Sequence, residues 1–257
     1  MFKRIFCCLI FLIFLITGCG KKQTEPEFIS DLQIIKDRNE LIVGVREDTK
    51  PFGYRDKEGN LQGIDIELAK DIAQYILGDR NKVKFITVNA ENRIEKLNSK
   101  EVDILVATMT ITSQRLRVVD FSQTYYVAGQ ALMVRSKSDI TSLSQAIAYG
   151  PVIVVFGTTA EKALRDTYPG SKIIGVKTYK DAYEALKSGK GDAIVADDTI
   201  LMGFTGDNSV KLLPKRYSAE PYGVALRQDA NSEDLKIAID ELIGNMATSG
   251  KLKNLYK

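Results

Sequence analysis

The stretch VATMTITSQR (106–115) places threonines at every second position, Thr108, Thr110 and Thr112, and follows them with Arg115. Side chains alternate along a strand, so the three hydroxyls would share one face. A helix is expected to start at Thr112 or Ser113, with Thr112 as its cap. Arg115 then lies in the first turn, where a cation opposes the helix dipole at a cost of roughly 0.3–1 kcal/mol unless something compensates. A planar guanidinium beside hydroxyls can chelate a carboxylate with two hydrogen bonds. The plainer local reading is a surface arginine lying over the sheet edge, with the threonines as ordinary strand formers.

Two more places could hold charge. FGTTAEKAL (156–164) is a Gly-led turn opening a helix, so the amides of Thr158 and Thr159 would point outward at a positive dipole end. Simple capping by either threonine is the alternative, and both can hold. VADD (195–198) ends a buried strand on Asp197, the place where α/β clefts bind ligands. The adjacent Asp198 would point elsewhere, to a cap or to solvent.

What is absent narrows the chemistry. The chain has 257 residues and no histidine. This excludes Ser-His-Asp and Cys-His catalysis, the His-containing deaminase pattern and His-ligated metal sites. No GxxxxGK[ST] loop occurs, so ATP hydrolysis is not expected. Composition is that of an ordinary globular chain, 44% hydrophobic and 27% charged. Net charge is +3 without a basic block, which gives no reason to expect a nucleic-acid partner.

The N-terminus, MFKRIFCCLIFLIFLITGCGKK, joins a positive start to an apolar run at 5–16. That run has signal-peptide length and is too short for a bilayer core of roughly 30 Å. Ile16-Thr17-Gly18-Cys19 resembles a bacterial lipobox, which implies cleavage before Cys19 and acylation of its sulfur. The other cysteines, Cys7 and Cys8, would leave with the signal, so no disulfide or metal-binding CxxC is expected.

Hydrophobic periodicity predicts an entry helix at 27–38, a strand at 41–45, a hairpin at 51–63 and an amphipathic helix at 64–77. A strand (82–88), a short helix (92–99) and a strand (102–111) follow. Extended segments cross at 124–134. A second series then begins: helix 143–148, strand 151–157, helix 158–168, strand 171–176, helix 180–188 and strand 192–197. A return at 221–227 and a helix at 233–249 complete the chain. Alternation of this kind predicts an α/β fold with largely parallel sheets, in two lobes with a cleft.

The ordered motifs LIVGV, PFGY, GIDIELAKDIA, NRIEKL, KEVDILVATMTITSQR, VDFSQTYY, FGTTAE and GDAIVADD resemble the bacterial extracellular solute-binding proteins of family 3, the amino-acid receptors of ABC importers. The resemblance covers roughly residues 38–257 and is nearest to the aspartate/glutamate receptors. It implies a two-lobe periplasmic-binding-protein fold (type II). Lobe 1 would be 38–124 plus 223–257 and lobe 2 would be 130–217, with hinges at 125–129 and 218–222. Residues 1–18 would be the signal peptide and 19–37 the lipidated cysteine and tether.

By the same resemblance Arg115 and Thr110 hold the ligand α-carboxylate, and the Thr108 carbonyl and Asp197 hold its α-ammonium. The Thr158 and Thr159 amides close over it. Arg46 stands where many receptors of polar amino acids carry an aspartate, and Arg93 lies near the ligand side chain. Two cations there would favour a second carboxylate, hence glutamate or aspartate. Thr49 and Ala90 replace the usual aromatic sandwich, and Tyr222 is the remaining aromatic candidate. The expectation is a lipid-anchored, extracytoplasmic monomer without cofactor or metal. It would bind an acidic amino acid, deliver it to a membrane permease and catalyse nothing. Alternatives are a glutamine, asparagine or other polar amino-acid receptor, or a dehydratase-like enzyme on the same fold.

Overall fold

The structure is a computed structural model and describes residues 29–256. The segment expected as a signal peptide (1–18), Cys19 and most of the expected tether lie outside the described residues. Helix α1 (Asp31–Arg38) leads into strand β1 (Leu41–Val45). A three-stranded antiparallel ribbon follows, β2 (Asp48–Thr49), β3 (Gly53–Arg55) and β4 (Leu61–Gln62). Next come α2 (Ile64–Leu77), β5 (Val83–Thr87), α3 (Arg93–Asn98) and β6 (Ile104–Val106). A 3-10 turn at Arg115–Arg117 precedes the long β7 (Val119–Ala128).

The second lobe is built from β8 (Gln130–Arg135), α4 (Leu143–Tyr149), β9 (Val152–Val155), α5 (Thr159–Thr167), β10 (Ile173–Val176), α6 (Tyr179–Lys187), β11 (Ala193–Asp197), α7 (Asp198–Met202) and β12 (Val210–Leu212). The chain returns through β13 (Glu220–Arg227) and ends in α8 (Glu233–Thr248) and α9 (Lys251–Asn254).

Each lobe has one five-stranded sheet. The first has order β5-β1-β6-β13-β7 and the second β10-β9-β11-β8-β12. In both, the strands alternating with helices pair in parallel, while β7, β8, β12 and β13 pair antiparallel. The sheets are therefore mixed, because strands that carry the chain between lobes need no covering helix. The chain passes from one sheet to the other at Gly129 and returns between Leu212 and Glu220.

Local chemistry sets these elements. LIVGV, VIVV and AIVAD are buried runs without strict alternation, as central strands covered on both faces should be. Ser142, Thr158 and Thr178 each accept an amide from the third residue of their helix and so fix the starts of α4, α5 and α6. Helix α2 ends at Gly78 in the left-handed region, which a residue without Cβ adopts freely. Its apolar face, with Ile66, Ala69, Ile72 and Ala73, packs with Leu226 of β13 and Ile239 of α8 in the first core. Helix α1 joins that core through Ile35.

One expected element breaks. The strand foreseen at 102–111 holds ladder geometry only over Ile104–Val106, because Thr108 has φ of 45°. A β-branched residue is rarely found there, and the turn ends the alternation. The three threonines therefore do not share a strand face. The helix expected from Thr112 is a single 3-10 turn. Gln114, not Thr112, precedes that turn; the Thr112 hydroxyl still accepts the Arg115 amide at 3.2 Å, but one such turn has no macrodipole to oppose Arg115. β12, α7 and α9 were not foreseen.

Leu226 is fully buried at the centre of the first core. Leu226→Ala should lower unfolding free energy by about 2–5 kcal/mol in urea titrations, through lost transfer energy and a residual cavity.

Candidate functional site: a charged cavity between the lobes

Eight of the nine side chains expected to bind a ligand line one small cavity. They are Arg46, Arg93, Thr108, Thr110, Arg115, Thr158, Thr159 and Asp197. With the lobes in this arrangement the cavity is nearly closed, with about 10 Å³ of free volume, room for about one water. A larger groove of about 860 Å³ opens beside it and shares Thr110, Arg115, Thr158 and Thr159. The small cavity gathers Arg46, Arg93, Arg115 and Asp197, so it is the better candidate for a binding site.

Lobe 1 contributes the cations. Arg46 follows β1 and is 2% exposed. Its Nε and Nη2 donate side-on to Asp48, both at 2.9 Å. Arg93 opens α3, is 3% exposed and donates through Nη1 to the Ala107 carbonyl at 2.8 Å. Its Nε is buried without a partner. Burial, with the charges of Arg115 and Arg46, lowers the Arg93 pKa well below the usual value. Arg115 donates to the Thr110 carbonyl at 2.8 Å and, across the cleft, to the Gly157 carbonyl at 3.3 Å. Burial lowers its pKa, while Asp197 and Glu220 support its charge.

The kink at Thr108 is built from below. Asp65 of α2 is fully buried; it accepts the Thr108 amide at 2.9 Å and the Tyr125 hydroxyl at 2.9 Å. Gly63, immediately before that helix, has φ of 118°, and a Cβ there would meet the Phe52 carbonyl at 2.1 Å. The glycine thus lets α2 approach closely enough for Asp65 to reach Thr108. Burial pushes the Asp65 carboxyl up to about 6, against the pull of Tyr125, Thr108, Arg46 and Arg93.

Lobe 2 contributes Asp197 and the start of α5. Asp197 accepts from the Tyr222 hydroxyl, and burial raises its carboxyl to about 7. Thr158 serves as the cap: its hydroxyl donates to the Val155 carbonyl at 2.7 Å and accepts the Glu161 amide at 3.3 Å. The Thr159 hydroxyl donates to Glu220 at 2.9 Å. The first-turn amides of α5 have no intrahelical acceptor and stand at the cavity.

Three placements differ from expectation. Tyr222 does not line the cavity; its ring packs in the first core against Phe52, Tyr125 and Tyr126, and only its hydroxyl reaches Asp197. Asp198 is buried rather than solvated. It accepts the Gly129 amide at 3.1 Å and pairs with Arg216, which fastens the two crossings together. Arg46 is not a free cation, because Asp48 holds it.

The aromatic wall comes instead from Tyr179 at the start of α6, whose ring centroid lies 5.4 Å from the Arg46 guanidinium carbon. Local sequence offered no sign of Tyr179, since only the meeting of the lobes brings it to Arg46. Asp65 sits in GIDIELAKDIA, where an aspartate among the buried positions of an amphipathic helix was the available clue.

A family model, "Bacterial extracellular solute-binding proteins, family 3", matches residues 41–257. The chain is 35% identical to the ABC transporter glutamine-binding protein GlnH of Bacillus subtilis, over 96% of this chain and 93% of the relative. It is 37% identical to a glutamine-binding protein of Geobacillus stearothermophilus, over 83% and 82%. A crystal structure of a cysteine-binding protein from Campylobacter jejuni superimposes with a TM-score of 0.83 at 33% identity, covering 89% of this chain and 92% of that one. These findings support the two-lobe type II fold. They correct the expected nearness to aspartate/glutamate receptors: the glutamate/aspartate import solute-binding protein of Salmonella typhimurium is 28% identical, over 90% and 80%.

Asp65 and Asp197 have folded-state values raised above the ordinary carboxylate value of 3.8. The native state therefore holds these protons more tightly, and their contribution to stability falls as pH rises from about 4 through 7. Between pH 5 and 7.5, unfolding free energy should fall by on the order of 1–3 kcal/mol more in the wild type than in Asp65→Asn, measured by urea denaturation.

Proposed function

The chain belongs to the bacterial extracellular solute-binding proteins, family 3, and from that premise we propose that it is a receptor for glutamine that serves an ABC importer. The observation that carries the choice of ligand is the charge balance of the cavity. Arg46, Arg93 and Arg115 face it, and the carboxylates Asp48, Asp65, Asp197 and Glu220 lie against them. A zwitterion with a neutral side chain preserves that balance. A glutamate or aspartate ligand brings one more negative charge, and Arg46 is already committed to Asp48. The identities to glutamine-binding relatives point the same way.

In this reading Arg115 and the Thr110 segment take the α-carboxylate on lobe 1, and the amides of Thr158 and Thr159 complete its cradle from lobe 2. Asp197 takes the α-ammonium, helped by the Thr108 carbonyl. The unpaired Nε of Arg93 suits the side-chain carbonyl of an amide. A carboxylate with a value near 7 becomes a good ammonium partner only when ionised, so binding at pH 6 should release protons from Asp197. Closure is driven only by contacts made in the closed arrangement. The filled receptor would then dock on the permease, tethered through acylated Cys19.

Gly157 is a point of close approach between the lobes. It has φ of 73°, and a Cβ would lie 2.7 Å from the Ala90 carbonyl of the other lobe.

Calorimetry on residues 20–257 with an amino-acid panel tests the reading. Glutamine should bind at least tenfold more tightly than glutamate or aspartate. The reverse order would sink the glutamine claim, and turnover of a prephenate-like acid would favour an enzyme. Arg115→Ala should weaken glutamine by roughly 100-fold, about 2.7 kcal/mol, from two lost charge-assisted bonds. Gly157→Ala should cost at least tenfold in affinity while each lobe stays folded by circular dichroism.

A further inference from the structure

Asp48 lies outside the cavity wall yet touches two groups that form it. Its carboxylate holds Arg46 side-on, and Oδ2 also accepts the Tyr179 amide of lobe 2 at 3.2 Å. The Tyr179 ring covers the same guanidinium. One carboxylate thus ties a cavity cation to the facing lobe. Asp48 is held in place because β2 pairs with β3, setting Asp48 opposite Tyr54. The close approach of Gly53 to the Arg46 carbonyl, where a Cβ would meet it at 2.3 Å, keeps this ribbon under the site.

The bond pattern decides what Arg46 can offer a ligand. Asp48 occupies the Nε–Nη2 edge, one of the two edges on which a guanidinium chelates a carboxylate, and it holds one of the two nitrogens of the other. Nη1 has no hydrogen-bond partner among the described residues, and Arg46 lines the cavity. The guanidinium keeps directional donors while its charge is cancelled at short range by a fixed carboxylate.

We propose that Asp48 is a specificity-determining residue of the amino-acid site. It converts Arg46 from an attractor of anionic side chains into a donor for a neutral carbonyl, so the site takes an amide and rejects the isosteric acid. This deepens the glutamine reading and rests on it. Selectivity here works by repulsion: an acidic side chain entering the cavity meets the Asp48 carboxylate behind a cation that is already paired. Because Asp48 also accepts the Tyr179 amide, its loss weakens closure for every ligand alike. Overall affinity and the ratio of affinities therefore report separate roles.

The test is calorimetry with glutamine and glutamate on the wild type, Asp48→Asn, Arg46→Gln and the double variant, at one pH and salt concentration. Asp48→Asn should raise the glutamate-to-glutamine affinity ratio at least tenfold, which is about 1.4 kcal/mol. In the Arg46→Gln background the same change should move the ratio less than twofold, because the effect passes through the guanidinium. Asp48→Ser is measured alongside, so that failure of one variant to fold leaves the ratio readable. An unchanged ratio in a folded variant overturns the proposal. So does equal loss of both ligands, which would assign Asp48 to closure alone. A wild type that prefers glutamate overturns the glutamine reading, and the proposal with it. A wild type that prefers glutamine with an unmoved Asp48→Asn ratio overturns the proposal only.

Discussion

Guanidiniums can be buried between two lobes only when carboxylates and carbonyls are buried with them. Arg46, Arg93 and Arg115 converge on one cavity, and the rest of the site follows from holding them there. Asp48 pairs Arg46, the Ala107 carbonyl takes Arg93, and the Thr110 and Gly157 carbonyls take Arg115. Each partner depends on backbone in an unusual place. The Ala107 and Thr110 carbonyls lie on either side of the left-handed Thr108, and the Gly157 carbonyl belongs to a turn with positive φ. Asp65, fully buried with its carboxyl pushed up to about 6, fixes Thr108 from beneath.

The same requirement links the site to the crossings between lobes. Glu220, at the start of β13, accepts from Gln130, Ser218 and Thr159. Asp198 joins Gly129 to Arg216. Tyr222 runs from the first core to Asp197 through one hydroxyl. These bonds tie the crossing strands to the residues that line the cavity. A movement of one lobe on the other therefore acts directly on Thr159 and Asp197. In the proposed receptor, closure and ligand capture would share the same hydrogen bonds.

Much of the fold is legible along the chain because its signals are local. Ile64–Leu77 is bounded by glycines and carries a clear apolar face, so the helix falls where periodicity puts it. The cap threonines of α5 and α6 mark their own helices. The segment after Val106 is not legible in this way. VATMTI has the composition of a strand, and only the Asp65 carboxylate, distant in sequence, holds Thr108 in a conformation that ends one. β12 and α7 are short and carry too few residues for a period to show.

The site divides along the same line. Arg115, Thr110, Thr158, Thr159 and Asp197 sit at element ends, where free amides, caps and strand termini are written in adjacent residues. Sequence by itself determined that histidine chemistry is absent, and the family resemblance added the expectation that these groups take the carboxylate and ammonium all amino acids share. It also supplied two arginines that, taken alone, favour an acidic ligand. Tertiary structure decided that one of them, Arg46, is already paired, and the charge of a side chain means little until its neighbours are known. Asp48 is only two residues from Arg46, yet its side-on grip requires the β2–β3 ribbon, and Tyr179 arrives from the other lobe. Coulomb interactions act through space rather than along the chain, and that is why the pairing of Arg46 could be read only from the folded molecule.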